Sequence, residues 1–244
     1  MACAIWTGDP DRLLDGALAD RCRTVLSADE RARANRLVTP RNQREFILAH
    51  TIVRSALART GGWDPVEIRF QVEPDGRPVV DPGWCPGRPL AFSISHTDGL
   101  VAVAVADAGR VGIDAEPRDR LATDPAGFAA AQFSPAEAVA VDRALALGGP
   151  GDAGRLAVQF WCLKEAFGKA VGRGLRLSPA DTVFEVSQGH VRQFTLPLDG
   201  GDKPWRFSLF EPVSVAGRRH VVALATDGAV GPDVLGDGLA LLEA

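Results

Sequence analysis

The spacing of apolar residues predicts an amphipathic helix from about residue 155 to residue 171. Wound at about 3.6 residues per turn, the segment has one apolar stripe. The residues of that stripe are Leu156, Phe160, Leu163, Phe167 and Val171. The opposite side carries Glu165, with Trp161 one turn before it and Lys169 one turn after it. For an isolated helix, a solvated Glu–Lys pair is the simplest explanation of this polar face.

A second pattern, in residues 111–117, places two acids on one side of a predicted strand. Side chains at positions i and i+2 of a strand point the same way, so Asp114 and Glu116 lie together while Ile113 faces the other side. Carboxylates so close repel each other unless a cation lies between them. Oxygen ligands suit Mg²⁺, a frequent partner of phosphate groups. An edge strand with two solvated acids is the alternative, and we expect Asp114 to be exposed enough for its removal to leave the fold intact.

Residues 92–99 alternate apolar and small polar side chains and then enter a Thr-Asp-Gly turn, which predicts a short strand ending near His96. The apolar run 100–106 is a second strand, and the following Asp-Ala-Gly turn leads into the strand of the two acids. The sequence therefore predicts one antiparallel meander that carries both His96 and the acidic pair. By itself, His96 is better explained as a hydrogen-bonded turn residue than as a ligand.

Over the whole chain, helical segments followed by a strand meander occur twice, without a strict sequence repeat, which predicts an α+β protein with two loosely similar halves. The halves span residues 1–108 and 109–226, and the glycine-rich residues 227–244 are expected to form a mobile tail. Capping boxes at Ser27-Ala28-Asp29-Glu30 and Ser134-Pro135-Ala136-Glu137 mark two helix starts.

Composition restricts the environment of the protein. Its 244 residues, 46% hydrophobic and 24% charged, are typical of a globular protein with a substantial core. A net charge of −4 gives no general attraction to nucleic acid or anionic membranes, and no apolar run approaches the roughly 20 residues of a membrane span. The first ten residues lack the pattern of a secretion signal. We therefore expect a cytoplasmic protein without nucleic-acid or membrane partners, and the internal repetition favours a monomer.

Taken together, four separated motifs resemble the 4'-phosphopantetheinyl transferases, in particular their monomeric Sfp-type branch. The motifs are Asp75-Gly76-Arg77-Pro78, Phe92-Ser93-Ile94-Ser95-His96-Thr97, Gly112-Ile113-Asp114-Ala115-Glu116 and the segment from Trp161 to Leu175. The resemblance covers roughly residues 26 to 185. It implies two pseudo-twofold-related halves, each with a small antiparallel sheet packed on helices and with the active site in the cleft between them.

The resemblance also implies the reaction. Such enzymes transfer 4'-phosphopantetheine from coenzyme A to a serine of an apo acyl or peptidyl carrier protein of fatty acid, polyketide or non-ribosomal peptide synthases, and they release adenosine 3',5'-bisphosphate. The implied metal is Mg²⁺, for which Mn²⁺ can substitute, with Asp114, Glu116 and Glu165 as ligands. Glu165 is also the implied general base, and Lys169 the group that compensates charge on the pyrophosphate.

The coenzyme A contacts follow from the same resemblance. The residues implied are Arg33, Arg77, Ser95, His96, Lys164 and Lys169. His96, Ser95 and Arg33 belong at the 3'-phosphate, Arg77 lies along the adenine or a phosphate, and Lys164 supports the site. Glu30 stands at a position that the family often fills with a basic residue.

Two other functions compete with this one. A different Mg²⁺-dependent phosphotransferase or phosphodiesterase would use the same acidic trio but release its product to water. A catalytically inactive coenzyme A-binding or carrier-binding module would need neither a base nor an acidic pair, so the joint presence of Asp114, Glu116, Glu165 and Lys169 argues against it.

Overall fold

Two β-sheets form the centre of the protein, and each carries helices on one face. The computed structural model describes residues 3–74, 76–85, 90–172, 182–187, 190–193, 205–227 and 235–243. Asp75 and residues 173–175, which belong to the motifs above, lie outside the described residues. In the parts of the chain that are described, no helix is both long and apolar enough to cross a membrane.

The helices are α1 (Gly16–Thr24), α2 (Ala28–Arg36), α3 (Pro40–Gly61), α4 (Pro125–Gln132) and α5 (Pro135–Val171). The strands are β1 (Cys3–Gly8), β2 (Phe70–Val72), β3 (Pro78–Val80), β4 (Ala91–Thr97), β5 (Leu100–Ala106), β6 (Val111–Pro117), β7 (Phe184–Ser187), β8 (His190–Gln193), β9 (Trp205–Phe210), β10 (His220–Asp227) and β11 (Leu235–Asp237). Short 3₁₀ helices span Pro10–Leu14 and Gly238–Leu242. This mixture confirms the predicted α+β class.

The first sheet has the strand order β11-β1-β5-β4, and the second sheet has the order β6-β10-β9. Alternate residues of β5 face opposite ways: Val103 belongs to a core shared with α3, and Ala104 to a core shared with the second sheet. In the second sheet, Leu224 faces this same central core while Ala223 packs with α5. Both sheets are therefore buried on two faces, which explains the uninterrupted apolar run of β5.

The predicted single meander is wrong, because β6 pairs with β10 in the second sheet rather than with β5. Strands β4 and β6 still lie side by side, but serine hydroxyls join them in place of a backbone ladder. Ser93 Oγ accepts a hydrogen bond from the amide of Ile113 (3.1 Å), and Ser95 Oγ accepts one from the amide of Ala115 (3.2 Å). The junction of the two sheets is therefore formed by the motif strand of His96.

The C-terminal segment also differs from the prediction. The mobile tail expected from Asp227 onward is wrong for the described residues 235–243. Strand β11 pairs in parallel with β1, and Leu239 and Leu241 of the following 3₁₀ helix are buried in the core beside α3. These two apolar side chains stabilise the docked segment despite its glycine-rich composition.

Candidate active site

Strand β6 lies directly against helix α5, and this contact positions the polar residues of both. A Cβ atom at Gly112 would lie 2.0 Å from the carbonyl oxygen of Ala166 and 2.6 Å from the amide nitrogen of Ala170. Only glycine allows strand and helix to approach so closely. Asp114 follows two residues later on the same face of β6 and meets Lys169 of α5.

Lys169 joins the two sheets at Asp114. Its Nζ atom donates to Asp114 Oδ1 (2.8 Å), to the carbonyl oxygen of Ile113 (3.0 Å) and to Ser95 Oγ (3.1 Å). Ser95, on β4, also donates to Asp114 Oδ1 (3.0 Å). The three donors of the ammonium group thus have three acceptors, which come from both sheets.

Asp114 has one buried oxygen without an N–H or O–H donor among the described residues, although the Cys162 thiol interacts with this carboxylate. The residue is only 6% exposed, and within the described structure its Oδ2 atom has no hydrogen-bond partner. A buried carboxylate oxygen without a donor or a cation is costly, so this atom is suited to bind one. The burial also shows that the expectation of an exposed Asp114 is wrong.

Glu165 faces the same site from α5. Burial raises the pKa of its carboxyl group, and the negative charge of Asp114 raises it further. The positive charges of Lys169 and Arg120 oppose this rise. A half-buried carboxyl group with a raised pKa next to a second acid is typical of a functional site.

Glu116 is held by neighbours that sequence reasoning did not assign. Its carboxylate forms an ion pair with Arg120 and accepts a hydrogen bond from Thr97 Oγ1 (3.4 Å). The guanidinium of Arg120 lies 5.6 Å from the ring centroid of Trp161, which links the acidic strand to α5. Arg120 lies in a segment with little pattern, and its i,i+4 spacing from Glu116 was the available signal.

These carboxylates fit a hard divalent cation in their chemistry, although they are not gathered into a complete binding group. Within the described ranges, no cluster of three or more His, Cys, Asp or Glu side chains is arranged to hold a metal ion. Asp114 nevertheless offers a free buried oxygen, and Glu165 supplies a second carboxylate within its electrostatic influence. Oxygen donors of this kind suit Mg²⁺ or Mn²⁺.

A cleft of about 1130 Å³ opens beside β4, and Arg33, Phe92 and Ile94 are among its lining residues. His96 lies on the same face of β4 as Phe92 and Ile94, because side chains alternate along the strand. Its side chain is 59% exposed, and its Nδ1 atom lies 3.5 Å from Glu45 Oε2. His96 is therefore accessible to a ligand while one ring nitrogen is already paired.

The two arginines predicted to bind coenzyme A have different surroundings. The guanidinium of Arg33 lies 5.2 Å from the ring centroid of Phe46, at the edge of the cleft. Arg77 forms a forked ion pair with Glu73 in the β2–β3 hairpin, with Nε and Nη2 at 2.8 and 2.6 Å from Oε2. The structure thus brings Arg33 into the cleft, whereas these contacts of Arg77 are local.

Comparisons with known proteins identify the family. The family model of the 4'-phosphopantetheinyl transferase superfamily matches residues 110–225. A 4'-phosphopantetheinyl transferase of Bacillus subtilis is 30% identical over 198 residues, which cover 80% of this chain and 80% of that protein. The chain belongs to the 4'-phosphopantetheinyl transferase superfamily.

Two further members of the superfamily are similar. The transferase HetI from a Nostoc species is 33% identical over 152 residues, and the match covers 62% of this chain and 61% of HetI. The transferase Sfp from Bacillus subtilis strain 168 is 26% identical over 204 residues, 82% of this chain and 84% of Sfp. The resemblance found in the sequence motifs is confirmed.

Within this transferase, Lys164 belongs to a different network from Lys169. Its Nζ atom lies 2.9 Å from Glu137 Oε2 and donates to the carbonyl oxygen of Thr182 (2.6 Å). Burial lowers the pKa of Lys164, and the charge of Glu137 opposes this effect. Glu137 also caps α5 at Ser134 and accepts a hydrogen bond from the amide of Phe184 (3.0 Å). These contacts are structural, and a role of Lys164 in binding coenzyme A stays a prediction.

Glu30, at the position that the family often fills with a basic residue, is buried, and both of its carboxylate oxygens have hydrogen-bond partners. It completes the capping box of α2 with Ser27 and accepts from Arg54 Nε (2.5 Å), and it pairs with His50 Nδ1 (2.8 Å). Burial alone would raise the pKa of Glu30, but its hydrogen bonds with His50 and Arg54 outweigh burial and lower the pKa to about 2. Glu30 lines the same cleft as Arg33, but its charge is neutralised locally by His50 and Arg54.

Proposed function

We propose that this protein transfers the 4'-phosphopantetheine group of coenzyme A to a serine hydroxyl of an apo carrier protein, at the site formed by Asp114, Glu165 and Lys169. The carriers are acyl or peptidyl carrier proteins, and the second product is adenosine 3',5'-bisphosphate. Membership of the transferase superfamily supports the reaction. The site assignment depends chiefly on one observation, the unpaired buried oxygen of Asp114 beside the Lys169 ammonium.

The residues divide the chemistry between them. The serine oxygen attacks the phosphorus attached to pantetheine, a new P–O bond forms, and the P–O bond to the adenosine bisphosphate breaks. Glu165 takes the serine proton, directly or through a water molecule, because a carboxylate with a raised pKa is a stronger base than an exposed one. Lys169 compensates the charge that develops on the leaving bisphosphate.

The proposal includes a divalent cation at these carboxylates. Asp114, Glu116 and Glu165 would hold Mg²⁺, or Mn²⁺ in its place, and the ion would neutralise part of the diphosphate charge when bound. The ammonium of Lys169 occupies Oδ1 of Asp114 and leaves Oδ2 available. We expect chelation of divalent ions to stop transfer and added Mg²⁺ to restore it.

Coenzyme A binding is assigned to the cleft beside β4. Arg33 and His96 supply cationic or hydrogen-bonding groups for the 3'-phosphate, and the neighbouring Ser95, on the opposite face of β4, contacts Lys169 through its hydroxyl. Ser95 lies on β4 and Lys169 on α5 of one chain, so a single copy contains the whole set. This supports a monomeric enzyme.

A cytoplasmic location is part of the same proposal. The four cysteines, Cys3, Cys22, Cys85 and Cys162, are all free thiols, as expected in a reducing compartment. Neither nucleic acid nor a membrane is a proposed partner, because a net charge of −4 gives no general attraction to either.

Intact mass spectrometry of an apo carrier incubated with coenzyme A, Mg²⁺ and the protein tests this function. We expect the carrier to gain the mass of one phosphopantetheine group, and a carrier with its acceptor serine changed to alanine to gain none. Free phosphopantetheine with an unmodified carrier would instead indicate a phosphodiesterase. Coenzyme A binding without any product would indicate an inactive module.

A further inference from the structure

A continuous row of polar and charged side chains starts at His96 and crosses from the first sheet to the second. The first member after His96 is Glu45 of α3, which is 7% exposed. One of its oxygens lies 3.5 Å from His96 Nδ1, and the other accepts from Arg41 Nε (2.8 Å). Both carboxylate oxygens of Glu45 therefore have a neighbour, Arg41 on one side and the imidazole of His96 on the other.

Arg41 extends the row to the turn that follows His96. Its terminal nitrogen lies 2.8 Å from Asp98 Oδ1, and the other oxygen of Asp98 pairs with Arg218, from the β9–β10 connection. Arg218 also forms an ion pair with Asp119, with 3.5 Å between Nη2 and Oδ1. The row thus connects His96 with residues that follow the strands of the second sheet.

The same turn is held a second time by its backbone. His220, on β10, is fully buried, and its Nε2 atom donates to the carbonyl oxygen of Asp98 (2.7 Å). The neighbouring Gly99 has a φ of 80°, and a Cβ atom there would approach Ser214 at 3.6 Å. The β4–β5 turn therefore contacts the second half of the chain twice: the Asp98 side chain pairs with Arg218, and the Asp98 carbonyl accepts from His220.

We propose that Glu45 and Asp98 are positioning residues of the coenzyme A site, which fix His96 for its contact with the 3'-phosphate. The inference rests on the proposed function, because that function assigns His96 to this phosphate. Glu45 holds Nδ1, and the opposite ring nitrogen, Nε2, is left to the ligand. Asp98 anchors the turn that carries His96 against both α3 and the second sheet.

Burial decides how the two residues share this role. Exposed ion pairs contribute little to the stability of the structure that they hold, and the side chains of Asp98 and Arg41 are about half exposed. Glu45 is buried, so its contact with the imidazole is less screened by solvent. We therefore expect the larger effect from Glu45 and a smaller one from Asp98.

A comparison of coenzyme A with 3'-dephospho-coenzyme A isolates this role. Titration calorimetry should show that Glu45→Gln binds coenzyme A about tenfold more weakly, with less than about a twofold change for the dephospho form. Asp98→Asn should give about a threefold loss with the same selectivity. In the transfer assay, the KM for coenzyme A should rise while kcat stays within about twofold.

Asp237→Asn is the matched control. Asp237 forms an ion pair of similar exposure with Arg12 (2.7 Å) at the edge of the first sheet opposite to β4, and asparagine preserves its capping of the last 3₁₀ helix. It should bind both ligands like the unchanged protein. If Glu45→Gln folds poorly, Arg41→Gln breaks the same row from its exposed side and should repeat the selective loss.

Equal weakening of both ligands in these variants would show a merely structural role and overturn the proposal, as would unchanged binding of coenzyme A. Since the comparison measures binding, it is independent of transfer. An unchanged protein that binds coenzyme A but modifies no carrier would refute the proposed function, and the ratio between the two ligands would still decide the role of Glu45.

Discussion

The Lys169–Asp114 pair should contribute to stability as well as to catalysis, and a double-variant cycle can measure this coupling. Lys169→Met keeps most of the hydrocarbon chain but removes the ammonium group. It leaves the Asp114 carboxylate buried and without its charged partner, while Ser95 Oγ and the Cys162 thiol still interact with it. Asp114→Asn removes the carboxylate charge with little change in volume.

The size of the effect follows from the exposure of the two groups. Breaking a fully buried pair costs about 3–5 kcal/mol, and breaking an exposed pair costs about 1 kcal/mol or less. The Asp114 side chain is 8% exposed and that of Lys169 is 32% exposed. We therefore expect Lys169→Met to lower the free energy of unfolding by about 2 kcal/mol and Asp114→Asn by about 1 kcal/mol.

In the double variant, the free energy of unfolding should fall by about 1 kcal/mol less than the sum of the two single-variant decreases. The reason is that the second change removes a charge that the first has already left unpaired. Urea unfolding followed by tryptophan fluorescence gives the three free energies, provided that the slope with denaturant is unchanged. Single-variant effects that add within about 0.3 kcal/mol would refute the coupling. A Lys169→Met protein as stable as the original would refute the burial argument itself.

Three further predictions address the acid response, the strand–helix contact and the base. The pKa of Glu30 is lowered from 4.5 to about 2 in the folded protein. The ionised carboxylate therefore adds to the free energy of unfolding above pH 4.5, and this stabilisation is lost as the pH falls toward 2. That contribution amounts to about 3 kcal/mol, so Glu30→Gln should flatten the acid branch of the stability profile in pH-dependent urea unfolding. Gly112→Ala should destabilise by more than about 2 kcal/mol in thermal unfolding, since its Cβ would overlap the carbonyl oxygen of Ala166. Glu165→Gln should lower kcat about 100-fold, with coenzyme A binding within about threefold.

For each of these three predictions, one experimental result would contradict it. An acid branch that is unchanged in Glu30→Gln would mean that His50 and Arg54 do not stabilise the charged form of this carboxylate. A Gly112→Ala protein as stable as the original would mean that strand and helix separate at no cost. Glu165→Gln with normal turnover would assign the proton to another group.

Local signals in the sequence predicted local structure well. The capping boxes at Ser27 and Ser134 are both present, because their two partners lie three residues apart and form independently of the rest of the fold. The amphipathic stripe likewise predicted the C-terminal part of α5, and alternation predicted that Asp114 and Glu116 share one face of β6. Each of these features depends on the geometry of a single element.

Pairing between distant elements was harder to predict. The meander interpretation assumed that β6 would follow β5 into one sheet, yet it pairs with β10, more than a hundred residues away, and reaches β4 through Ser93 and Ser95. The burial of Asp114 depends on how closely α5 covers the strand, and this closeness requires Gly112. Single-element patterns contain no term for such contacts, so they also missed Glu45, whereas Arg120 was missed despite its local i,i+4 spacing from Glu116.

The most direct test of the account measures carrier modification by Asp114→Asn beside the unchanged protein, in the presence of coenzyme A and Mg²⁺. Intact mass should show one phosphopantetheine group added by the unchanged protein and almost none added by the variant, with far-ultraviolet circular dichroism confirming that both are folded. A folded Asp114→Asn protein that modifies the carrier at the original rate would contradict the assignment of the active site to Asp114, Glu165 and Lys169.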